Sequence, residues 1–166
     1  MKSWELEIDG FPIEIASGSI ISDPKTGDLL LFGGSTISEE ILKSVYRLNS
    51  INNQWSLDQT KEMFDERELF VSFLVPDEKV VCEEMKRFLV IGGDEKQTEV
   101  IDLTDSSLTC TSAFGELESQ RNYANGGLIN ETPILCGGRD SNNDIYDSCI
   151  VFSHTKTSGF AFMNNF

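Results

Sequence analysis

The chain has 166 residues, enough for one domain with a real core, and carries a formal net charge of −15. A surface this acidic repels phosphate backbones and argues against nucleic-acid binding; its first reading is a soluble surface. No apolar run nears the ~20 residues of a membrane span, the start MKSWELEIDG lacks the apolar core of a signal peptide, and four cysteines without a CxxC pair give no structural zinc pattern.

In chain order, Trp4 stands in a W-x-L setting, and Gly18 to Ile21 reads as a short strand. The run DLLLF (Asp28 to Phe32) is continuously apolar after its first residue, as expected of a strand covered on both faces. The pair Gly33 and Gly34 ends it; residues without Cβ can leave a strand with positive φ and admit a close neighbour. A polar loop, Ser35 to Lys43, precedes a strand at Val45 to Leu48, a turn-rich link at Asn49 to Asn53, and Trp55. The grammar recurs. Leu69 to Val75 leads to RFLVI (Arg87 to Ile91), the pair Gly92 and Gly93, a loop at Asp94 to Gln97, a strand at Glu99 to Leu103, and a link at Thr104 to Ser107. Tyr123 to Ile129 leads to TPILC (Thr132 to Cys136), the pair Gly137 and Gly138, a loop at Arg139 to Asp147, and a strand at Cys149 to Phe152.

The glycine pairs lie 59 (92 − 33) and 45 (137 − 92) residues apart, so a second marker is needed. Counting past Leu48, Leu103 and Phe152 reaches Trp55, Cys110 and Phe160, which with Trp4 are spaced by 51, 55 and 50 residues. A period near ~50 residues is that of kelch-type propeller blades. The paired glycines after an apolar strand and the spaced Trp resemble kelch repeats, in three copies covering nearly the whole chain. Tyr46 fits the family's aromatic in the third strand, with Ile101 and Ile150 in that slot later; Cys110 and Phe160 or a neighbour stand in the tryptophan slot, so the later copies depart from the pattern.

The resemblance implies an all-β partial kelch-type β-propeller: about three four-stranded antiparallel blades, at approximately 1–62, 63–113 and 114–166, plus a leading outer strand around Trp4. Propellers typically have ~4–8 blades, so the chain is expected to be part of a longer propeller whose open blade faces favour self-association.

Cys136 and Cys149 are 13 residues apart, as are Phe32 and Val45 in the first copy, which places each pair on neighbouring strands. The cysteines form a disulfide in an oxidising compartment, or stay buried thiols in a reducing one. Asp140, Asn142 and Asp144 have the D-x-N-x-D spacing of a calcium loop, but Ile145 and Val151 stand where that loop needs Gly and Glu, so a polar connection is expected. Glu39 with Glu40, and Glu83 with Glu84, read as solvated loop charge, and His154 as a surface residue. Asn130, Glu131 and Thr132 form a glycosylation sequon that matters only in a secreted protein. No cofactor, metal or catalytic residue is expected. The resemblance implies a noncatalytic scaffold whose loops bind a protein or peptide, with basic or mixed charge suiting the acidic loops. The alternatives are part of a propeller enzyme of oxidase or sugar-isomerase type, which would want more than one His and three Tyr, and a truncated product without independent function.

Overall fold

The computed structural model describes residues 10–75, 87–102, 109–130, 132–155 and 159–164; among them all regular structure is strand. The first group comprises β1 (Ile15–Ala16), β2 (Ser19–Ser22), β3 (Leu29–Phe32), β4 (Ser35–Thr36), β5 (Ser44–Asn49) and β6 (Gln54–Glu62). The second comprises β7 (Phe70–Val75), β8 (Arg87–Gly92), β9 (Gln97–Asp102) and β10 (Thr109–Glu116). The third comprises β11 (Asn125–Ile129), β12 (Thr132–Cys136), β13 (Cys149–Thr155) and β14 (Gly159–Asn164). Each group builds a four-stranded antiparallel sheet, in the orders β2-β3-β5-β6, β7-β8-β9-β10 and β11-β12-β13-β14. These are three blades of a β-propeller, with both flanks open among the described residues. The second ends at Glu116, beyond the boundary expected at residue 113. The expected leading strand around Trp4 lies outside the described residues.

The blades stack in chain order. β2 lies beside β7, with Ser19 Oγ 2.5 Å from Ser72 Oγ, and β7 lies against β11 and β12. At the outer edge β10 lies against β14. Alternation along β3 buries Leu30 and Phe32 and leaves Leu29 and Leu31 half-buried. Leu30, Phe32, Val45 and Met63 pack with Phe70 and Ile101 of the second blade, so the core lies between blades. Between the second and third blades, Gly126 faces Phe73; a Cβ on Gly126 would come within 2.6 Å of the ring. Leu117, Leu135, Ile150 and Phe152 are buried as well.

The strand registers correct the slot assignment. Leu31 pairs with Tyr46, and the corresponding Val90 pairs with Glu99, not Ile101; in the third blade Leu135 pairs with Ile150. Trp55 pairs with Leu48, and its counterparts by register are Thr109 and Phe162, not Cys110 and Phe160. For Ile101 and Cys110 the cause is the loop after Gly93, which is shorter than those after Gly34 and Gly138; for Phe160 it is the wider spacing of the last two strands, with Phe162 ten residues past Phe152 where Trp55 is seven past Leu48.

Candidate functional site

The best-defined constructions in the molecule are the joints between blades. All six paired glycines take positive φ. The second of each pair lies against the lead-in to its own blade. A Cβ on Gly34 would overlap the carbonyl oxygen of Ala16, one on Gly93 that of Glu68, and one on Gly138 would come within 3.0 Å of that of Asn122. The first glycine meets the linker to the next blade: Gly33 faces Arg67 and Met63, and Gly92 faces Arg121. The glycines thus admit a linker on one side and their own lead-in on the other, a more specific arrangement than general contact between blade flanks.

The linkers repeat. Arg67 accepts at its carbonyl from Gly34 N–H (2.8 Å) and donates its N–H to the Leu42 carbonyl (3.1 Å). Arg121 exchanges both backbone bonds with Gly93 (3.2 Å each). Four residues earlier, Met63 donates to Lys43 O and Leu117 to Lys96 O (2.8 Å each), and both side chains are buried. Two residues after each arginine the chain takes positive φ, at Leu69 and Tyr123, as it does at Ser17. Leu69 N–H donates to Ser17 O (3.0 Å) and Tyr123 N–H to Leu69 O (3.2 Å), one bond per blade along the inner strands.

The two guanidinium groups are housed differently. Arg67 is fully buried; its Nε lies 3.7 Å from Glu99 Oε2, Nη2 lies 3.4 Å from Asp65 Oδ2, and Nη1 donates to Gly92 O (3.4 Å). The Glu99 carboxylate accepts from Phe64 N–H and Asp65 N–H. Burial raises the pKa of Glu99 above the ordinary carboxylate range, against the opposing pull of the Phe64 bond and Arg67. Arg121 donates to the carbonyls of Gly137 (2.8 Å) and Ser148 (3.1 Å) and to Ser148 Oγ (3.1 Å), and stacks over the Tyr146 ring at 4.1 Å. Spacing could have exposed this pair, since Met63, Arg67 and Leu69 recur as Leu117, Arg121 and Tyr123 at a constant interval of 54.

The linkers and the loops between second and third strands emerge at one end. The loops of the first and third blades share one turn. Ser35 bridges Ile41 and Arg139 bridges Ile145, with positive φ at Glu39 and Asn143. Thr36 N–H donates to Glu40 O (3.0 Å) and Asp140 N–H to Asp144 O (3.1 Å). Asp140 Oδ1 accepts from the backbone N–H of Asn142 and Asp144, which accounts for that D-x-N-x-D spacing as turn geometry. Among the described residues, no group of three or more His, Cys, Asp or Glu side chains converges to hold a metal ion. Ile37 protrudes from the first of these turns with 86% of its surface exposed; Ser141 holds that place in the third blade. Of the basic residues expected in the loops, Lys43 pairs with Glu62 (3.2 Å) and Arg139 lies over the Tyr123 ring at 4.5 Å.

Cys136 and Cys149 are direct cross-strand partners and form a disulfide. Glu39 and Glu40 are exposed, and Asn130 lies at the exposed end of β11. Cys82, Glu83, Glu84 and Glu131, and the side chains of Cys110 and His154, lie outside the described residues.

At the opposite end of the first blade, Arg47 binds Asp28 Oδ2 (2.8 Å) and Asp58 Oδ2 (2.9 Å). The Ser50 N–H on Asp28 Oδ1 (2.8 Å), aided by Arg47, holds the Asp28 pKa down at about 2.

No family model matches the chain, and no curated protein does. Among solved structures, that of YjhT aligns with 93% of the chain at a TM-score of 0.67 and 10% identity. A likeness at that identity speaks for the fold alone. The chain spans about half (47%) of that structure's length.

Proposed function

We propose that the chain is a noncatalytic protein-interaction scaffold of the kelch type, supplying three blades of a larger propeller and recognising a peptide or protein partner at its loop-bearing end. Glycine pairs at the same place in each blade support the kelch reading. The observation that carries the interaction reading is Ile37. It is an apolar side chain held in water by a braced turn, with Thr36 Oγ1 2.8 Å from Ser38 Oγ and the Glu39 N–H donating to Thr36 O (2.9 Å). A rigid turn presents such a residue at small entropic cost on binding, the manner of an anchor at an interface. Glu39 and Glu40 beside it favour a partner carrying basic groups next to an apolar residue.

Panning a displayed peptide library against the chain tests this. The expected result is a consensus of basic residues flanking an apolar one, with binding at least ~10-fold weaker for Ile37→Asp at an unchanged melting temperature. No enrichment over a blank surface, or peptides that bind Ile37→Asp equally well, would overturn the reading.

A further inference from the structure

The two joints within the chain define a seat for a linker, and among the described residues nothing fills the same seat in the third blade. We propose that a second copy of this chain occupies it with residues 11–17, so that two copies close a six-bladed ring. This rests on the larger-propeller part of the reading above and is independent of the partner at Ile37.

The seat is defined by its filled versions. In the first blade Gly34 N–H and the Leu42 carbonyl receive the backbone of Arg67. The corresponding groups in the third blade are Gly138 N–H and the Tyr146 carbonyl; as Leu42 donates to Gly34 O, so Tyr146 donates to Gly138 O (2.9 Å). Among the described residues, no linker carbonyl stands before Gly138. A Cβ on Gly33 would collide with Arg67 and Met63, whereas one on Gly137 would meet only Tyr146 O, at 3.7 Å. In that place lies a cleft of about 460 Å³ lined by Asn122, Tyr123, Gly138, Arg139 and Ile145. Tyr123 is 59% and Ile145 83% exposed, and Asn122 Oδ1 is buried there with no hydrogen-bond partner among the described residues.

The chain also carries the matching insert. Phe11, Ile15 and Ser17 keep the spacing of Met63, Arg67 and Leu69, with the same positive φ at the last position. The insert has made its bond to its own blade, since Ala16 pairs with Ser35 as Asn122 pairs with Arg139. The preceding residue, Ile15, therefore turns its backbone outward, as Arg67 does. Phe11 packs on Tyr46 and Trp55, ring centroids 5.4 and 4.8 Å away, on the flank that faces away from the second blade. Seating this insert extends the inner ladder by one bond, from Ser17 N–H of one copy to Tyr123 O of the other.

The flanks that would meet are apolar. Ile20, Leu31, Tyr46 and Leu57 share one row on the first blade, and Ile134 and Val151 share one on the third. None of these six is charged, so these two rows meet without burying an ion, although each copy carries −15 and Glu14 of the insert and Arg139 of the cleft lie at the edge of the contact. Six blades lie within the ~4–8 of closed propellers, and a head-to-tail contact that closes on itself gives a ring rather than a filament.

Sedimentation equilibrium of the 166-residue chain decides it. The expected mass is about 37 kDa, twice 18.5 kDa. Ile145→Asp, at an exposed edge of the cleft, is expected to return the mass to that of one chain with an unchanged melting temperature, and a synthetic peptide of residues 11–17 in excess to do the same to the wild type. Ile37→Asp is expected to stay dimeric, which separates this proposal from the partner reading. A wild-type monomer up to about 100 μM would overturn the proposal, and if that monomer binds a hydrophobic dye on its open flanks, further blades of a longer polypeptide are the occupant instead. A dimer that survives both Ile145→Asp and the peptide would also overturn it.

Discussion

The joint between the first two blades and the joint between the last two use one backbone scheme and opposite side-chain chemistry. In both, a linker arginine lays its main chain on a glycine pair and points its guanidinium at the first glycine carbonyl of the blade it introduces. Arg67 is then answered by a buried carboxylate, Glu99, and Arg121 by neutral carbonyls, a hydroxyl and an aromatic face. A guanidinium can be held either by a countercharge or by aligned dipoles. The first creates dependence on one partner and on pH; the second does not. What repeats here is backbone geometry, and the side chains around it are free to diverge.

Breaking the charged joint is expected to have the largest effect. Arg67→Leu leaves Glu99 buried with the Phe64 and Asp65 N–H groups but no cation, at a cost of about 3–5 kcal/mol in urea unfolding. The double variant Arg67→Leu, Glu99→Leu is expected to recover more than half of that. The pH dependence has a definite sign. Because the folded pKa of Glu99 is raised, its contribution is fully present below the ordinary glutamate value of 4.5 and is lost as pH rises through the folded value. Arg67→Leu is therefore expected to be less damaging at pH 4.5 than at pH 8, and equal damage at both would contradict the assignment of Glu99.

Next comes the backbone that both joints share. Gly93→Ala places a Cβ against Glu68 O at positive φ and is expected to cost about 2–4 kcal/mol. Gly127, where an added Cβ meets nothing within 4 Å, is expected to accept Ala within about 0.5 kcal/mol. A neutral Gly93→Ala would remove the close approach from the account.

The neutral joint is expected to be milder. Arg121→Met leaves the Gly137 and Ser148 carbonyls without that donor, at about 1–3 kcal/mol, with no pH dependence between pH 5 and 8. Smallest is Asp28→Asn, about 1 kcal/mol at pH 7. The folded pKa of Asp28 is lowered, so its contribution is present above the ordinary value of 3.8 and is lost as pH falls toward about 2, the reverse of Glu99.

The blades were legible because their signals are contiguous. DLLLF, RFLVI and TPILC each sit beside a glycine pair, and the matching 13-residue spacings placed Phe32 opposite Val45 and Cys136 opposite Cys149, as the registers have them. The joints carry one sequence signal, the constant interval of 54 residues, and their chemistry was not legible. Arg67 and Arg121 are single residues in polar stretches, where a charge reads as surface, and Glu99, on a strand that also carries Gln97 and Asp102, looks like an outward-facing position. Periodicity records which face is buried, not what a buried charge faces. The slot of Tyr46 was misplaced because counting through a shortened loop preserves sequence distance and loses register. The D-x-N-x-D pattern misleads for a related reason, since Asp and Asn at alternate positions serve a bracketed turn as well as a cation.

The most direct test of the account is scalar coupling across hydrogen bonds in labelled protein, read at the glycine amides. Coupling from Gly34 N–H to the Arg67 carbonyl and from Gly93 N–H to the Arg121 carbonyl is the predicted result. Glycine amides coupled to other carbonyls, or exchanging with solvent as fast as an open loop does, would contradict the shared joint and with it the stacking of the three blades.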